Sequence, residues 1–194
     1  MYIQFKQPLN YWKYFLSIEE ELINTSKYVE FDNDNMRVFS TEFTKIILTA
    51  SSEVDVLLAE ISKLYGLTKK KPNFKDHFNI INKHVISLMS ENVYLKNYGL
   101  IVSPFADWND SEELAWHKSY NKLKHKRGTH YKEGNLENAL LSVGALFTTS
   151  IHYYLCKAEI KNPEHRITLL SVIKSIEPKS KLFKFTNPLY QHLL

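Results

Sequence analysis

A single cysteine, Cys156, rules out an internal disulfide and fits a reducing compartment. Five glycines and six prolines supply few tight turns, which argues against a sandwich or barrel built from many short strands. Arginine occurs three times only, at positions 37, 127 and 166. The start, MYIQFKQPLNYWKYF, has none of the charged, apolar and small-residue segments of a signal peptide. A Gly-rich phosphate loop, a Gly-x-Ser-x-Gly elbow and a His-Glu-x-x-His motif are missing as well. The expectation is a cytoplasmic protein with no cofactor.

What remains is a balance typical of a globular chain, 44% hydrophobic and 24% charged, with 12 Tyr, 11 Phe and 3 Trp to fill a core. At this length the simplest organisation is a single domain over residues 1–194. Neither a repeat nor a linker interrupts it. Apolar residues at three-and-four spacing mark helices at about 10–25, from after Ser40 to about Tyr65, and at 74–90. Ser40 and Asn73 serve as N-caps, and Gly66 closes the second helix. Residues 93–105 are rich in β-branched and aromatic side chains around Asn97 and Gly99, and read as a short hairpin.

A fourth helix is expected from Asp110, with Glu113 completing a capping box, to about Arg127, where Gly128 ends it. The fifth, at 135–157, is apolar nearly all round. Its segment 139–156 is long enough to span a bilayer, yet Ser142, Thr148, Thr149, Ser150 and His152 suit a buried core helix better. Asn162 and Pro163 begin a sixth at 162–176, and the tail from Pro178 is irregular. The fold class is therefore mainly all-α: a bundle of five to six helices with one β-like excursion.

The net charge of +4 is mild, but its placement is not even. From His117 to Lys132 there are six Lys or Arg, three His and no acid, a block that either solvates a surface or meets phosphate. Within YNKLKHKR (120–127), Asn121 and His125 are four apart and share a helix face, with Lys118, Lys122, Lys124 and Arg127 around them. A neutral imidazole can take a proton from a ribose 2′-hydroxyl, and a nearby cation can stabilise charge on the phosphorus oxygens. The same residues equally make a polar surface or interface. Glu53, at the edge of the apolar stripe of the second helix, is expected to pair with Arg127 or Lys124 across the bundle or to serve as a polar anchor. Asp55 lies on the opposite flank. Metal binding is not expected: His117, His125 and His130 lack ligand spacing, and so do His77 and His84. Cys156 reads as inert packing.

The order YVEF (28–31), STEF with SSEVD (40–55), YNKLKHKR (120–127) and NLENALLSVGALF (135–147) resembles an uncharacterised family of bacterial helical proteins. That family in turn resembles the HEPN superfamily, and the likeness spans about residues 10–155. The resemblance implies a compact bundle, usually a homodimer, with a polar motif facing a shared cleft. Many HEPN members are metal-independent endoribonucleases of toxin–antitoxin and antiphage defence systems. Their motif is Arg, four to six residues, then His. On this chain His125 matches the histidine and Asn121 the polar residue, while Tyr120 stands in the arginine's place; Lys118 is the earlier cation at a permitted distance.

Two functions follow as expectations. In one, the chain cleaves or binds RNA; as an endoribonuclease it would use His125 as base, Arg127 and Lys124 to stabilise the phosphate and Asn121 to position it, with Glu53, Tyr120 and Lys118 in support. In the other it is a non-catalytic module for dimerisation or partner binding. An antitoxin or regulatory partner role fits the class without a specific residue behind it.

Overall fold

The computed structural model describes residues 8–109 and 113–187. Seven α-helices are described: α1 (Asn10–Thr25), α2 (Thr41–Leu64), α3 (Phe74–His84), α4 (Ser87–Ser90), α5 (Ala115–His130), α6 (Leu136–Lys161) and α7 (Leu169–Ser175). Three short strands, β1 (Val93–Leu95), β2 (Ile101–Val102) and β3 (Phe183–Phe185), form an antiparallel sheet in the order β2-β1-β3. The fold is mainly α with a small β excursion.

The long helices form where local chemistry specifies them. The Ser40 hydroxyl accepts from the Phe43 amide at 3.0 Å and opens α2. At the other end Gly66 takes φ +87, and the amides of Gly66 and Leu67 close on the carbonyls of Lys63 and Ser62. Asn135 caps α6 through the Asn138 amide. Although α6 is long and apolar enough to cross a membrane by length and composition, 94% of its apolar window is buried in the fold. It runs against α2, with α1 packed on both. Trp12, Phe15 and Phe147 meet Phe183 and Phe185 of β3 at the centre.

Four expectations need correction. The third helix is not continuous to residue 90, because Val85 leaves helical geometry (φ −136, ψ 39) and α4 starts afresh. The fourth starts at Ala115; the expected cap at Asp110 lies outside the described residues. It also passes through Gly128 to His130, with its break at Lys126 (φ −140, ψ 36). Asn162 caps the C-terminus of α6, bonding back to Ala158, and α7 begins later through a Thr168–Ser171 capping box.

The described part of the tail, to residue 187, is not irregular throughout: it contributes β3. Glu19 of α1, 1% exposed, accepts hydrogen bonds from the Ser180 hydroxyl and from the Lys181 and Leu182 amides, the last two at 3.0 Å. That carboxylate docks the chain just before β3, which then pairs with β1.

Candidate functional site

The helix α5 carries two different polar environments. Its inner face presents His117, 5% exposed, against α2 and α3. The Nε2 of His117 lies 2.9 Å from Asp55 Oδ1, and Nδ1 contacts Glu113 Oε1 one turn back. Phe74 stacks on the ring at 4.0 Å. Asn121 Nδ2 donates to the same Glu113 oxygen at 2.8 Å. Burial works against a charged imidazole here, but the two carboxylates outweigh it and hold His117 above its ordinary value. In return the hydrogen bond from His117 holds Glu113 below the usual carboxylate range. The two ring nitrogens thus point to carboxylates on opposite sides. His117 bridges α2 to the segment before α5; its donors do not converge on one point.

Close by, Ser62 Oγ lies 2.9 Å from His77 Nδ1, and burial lowers His77 while Asp55 and Asp76 act the other way. His84 instead stacks on Tyr65 at the surface. Cys156 is buried, its thiol pushed up to about 11 by burial, as befits packing.

The expected site residues are distributed between environments. Asn121 belongs to the inner cluster, half-buried against Glu113. His125 is exposed, and no hydrogen bond to its ring is found among the described residues. The ammonium of Lys124 bonds to the Tyr120 hydroxyl at 3.2 Å and sits 5.2 Å from the centre of its ring. Tyr120 itself is buried, and Lys118 is exposed near Glu113. Glu53 does not pair with Arg127 or Lys124. It lies half-buried towards Tyr11 of α1, raised by burial, because its side of α2 faces α1. Its neighbour Asp55 is the acid that reaches α5.

Arg127 lies past the break at Lys126 and turns to the beginning of α2. There it lines a surface groove of about 590 Å³ with Phe39, Thr41, Thr44, Lys45 and Tyr131. Phe39 is 45% exposed and Tyr131 52%, and their rings meet edge-on with centroids 5.5 Å apart. The segment bearing Phe39 is extended and held from both sides. Val38 O accepts from Leu136 N at 2.9 Å, and Ser40 N donates to Gly134 O at 3.0 Å. Gly134 is needed at this junction, since a Cβ there would fall 2.1 Å from Thr44 Oγ1. Lys45 pairs with Glu42 at 2.7 Å on the exposed surface, an exchangeable arrangement.

Phe39 and Tyr131 did not stand out in the sequence, although a signal existed. An apolar residue before an N-cap normally packs on the fourth helical residue, which here is Thr44, so Phe39 has no apolar staple partner.

Compared with known proteins, the chain matches no family model, no curated protein and no solved structure. The fold and groove define a mainly α-helical protein with a basic surface carrying two fixed aromatic rings.

Proposed function

We propose that this chain is a HEPN-like protein that binds single-stranded RNA in the groove between the start of α2 and the end of α5. The observation that supports it is the pair of exposed rings, Phe39 and Tyr131, held on a pinned backbone beside the Arg127 guanidinium. Large exposed aromatics on a rigid frame give bases a stacking surface, each stack contributing about 1–3 kcal/mol. Arg127 and Lys45 are placed for phosphate, and the Thr41 hydroxyl for a ribose 2′-hydroxyl. The remaining cations of the acid-free block, Lys126 and Lys132 among them, are exposed and extend the field that attracts a polyanion.

The test is binding of fluorescent single-stranded RNA across a salt series. Wild type should weaken steeply with salt. Arg127→Ala should lower affinity and reduce the slope of log K against log salt by about one. Phe39→Ala should lower affinity with the slope unchanged. Salt-independent binding, or none, would reject the proposal.

Cleavage is a second reading, favoured by the free, exposed ring of His125 two residues before Arg127. In it the imidazole takes the 2′-hydroxyl proton, and the 2′-oxygen bonds to phosphorus. The bond from phosphorus to the 5′-oxygen breaks, and water protonates the leaving oxygen.

A further inference from the structure

A second cavity adjoins the groove. It measures about 420 Å³ and is lined by Arg37, Lys132, Glu133 and Asn135, together with Phe39. Phe39 is therefore the wall shared by both cavities. Each side of it holds two cations: Lys45 and Arg127 on one, Arg37 and Lys132 on the other. Glu133 brings a negative charge to the second cavity, but Lys122 already matches it at 2.7 Å. Asn135 is fully engaged, accepting from Asn138 N and donating to Lys132 O. The ion pair of Arg37 with Glu137, at 3.3 Å, is open to solvent and readily exchanged for a phosphate contact.

The backbone on either side of Phe39 is held by the bonds from Leu136 N to Val38 O and from Ser40 N to Gly134 O, which keep its Cα at the surface between the two cavities. Tyr131 lines the first cavity and not the second, so it braces Phe39 from one side only.

We infer that Phe39 is a wedge between two successive bases of single-stranded RNA, one base held in each cavity, with the backbone phosphates on the flanking cations. This rests on the RNA-binding reading and adds a register to it: the unit recognised is a dinucleotide step, unstacked around a protein ring. Shape and charge favour such a step over an extended peptide. A neutral side chain in either cavity would leave the cations on both sides without an anion, whereas consecutive phosphates supply one to each.

The experiment is competition by 5′-phosphorylated uridine mono-, di- and hexanucleotides against a labelled hexanucleotide. The second base gains a stacking face and two cations, so the dinucleotide should bind about tenfold more tightly than the mononucleotide. Phe39→Leu should weaken both ligands but the dinucleotide more, cutting the tenfold increment to about twofold, whereas Phe39→Trp should keep it. An Arg37→Ala/Lys132→Ala variant should weaken the dinucleotide and spare the mononucleotide. Circular dichroism confirms that each variant is folded. If affinity rises smoothly with length and Phe39→Leu weakens the mononucleotide and the dinucleotide equally, while binding still depends on Arg127, the wedge is wrong and RNA binding stands. If no oligonucleotide binds wild type, both fall together.

Discussion

Asp55 of α2 and His117 of α5, 62 positions apart in the chain, meet at 2.9 Å, and the opposite nitrogen of the same ring contacts Glu113. The imidazole is thus a charged rivet between the long core helix and the helix that carries the basic surface. Burial lowers its proton affinity, but the flanking acids Asp55 and Glu113 raise it more.

The sign of the resulting pH dependence is set by both ends of the contact. His117 has a folded value above its ordinary 6.5, so its contribution is complete below that value and is lost as pH rises through the folded one. Glu113 is held below its ordinary 4.5, so its contribution is present above that and lost as pH falls through the folded value. Stability should therefore decline as pH rises above 6.5. Since Asp55 and Glu113 are a third or more exposed, His117→Gln should cost only about 1–3 kcal/mol near pH 6. Urea unfolding at about pH 6 and about pH 8.5 checks it: wild type should lose more stability between them than the variant.

Glu19 is the anchor of the C-terminal strap. Glu19→Ala leaves two buried donors and one partly buried amide without their acceptor and should cost about 3 kcal/mol. Glu20, which meets Lys181 at 2.7 Å in solvent, is the control: its replacement by Ala should cost close to nothing. Thermal melts compare the two, and hydrogen exchange should show the Lys181 and Leu182 amides opening in the Glu19 variant alone. Equal melts for both variants would show that β3 docks without this carboxylate.

These two contacts mark where sequence stops being informative. The position of α2 follows from periodicity and from Ser40 and Gly66, because a cap is a local bond, and that of α6 from its long, nearly all-apolar run. Glu19 sits in a run of three acids that looks like an ordinary solvated turn of helix, and its burial depends on a segment some 160 positions away. The strand FKF is too short for alternation to declare it, and exists through pairing with β1. In α5 the four-residue spacing does place Asn121 and His125 as neighbours. Helical geometry cannot say that Glu113 draws Asn121 inward while His125 remains in solvent. Nor can it show that Arg127, past a break, belongs with Phe39 rather than with Asn121.

Gly134 tests whether the aromatic surface depends on close packing beneath it. An added Cβ would lie 2.1 Å from Thr44 Oγ1 and 3.2 Å from both Thr44 Cβ and the Tyr131 carbonyl. Gly134→Ala should destabilise by about 1–3 kcal/mol and displace Tyr131, weakening RNA binding as well. Thr44→Ala in the same chain removes the closest contact and should restore more than half of the lost stability. A double variant no more stable than Gly134→Ala would mean that the junction, not the hydroxyl, carries the strain.

His125 decides between binding and cleavage. It is exposed and unbonded among the described residues, so His125→Ala should leave folding and RNA affinity nearly unchanged. Incubated with RNA in EDTA, wild type should generate 2′,3′-cyclic phosphate ends if the imidazole is the base. The variant should then be slower by about a hundredfold or more. Phe39→Ala would lose cleavage through affinity alone and recover at high RNA concentration, which the His125 variant would not. If wild type binds RNA in the salt-dependent way described above and leaves it intact, the chain is a binding protein, and the exposed histidine contributes only to its basic surface.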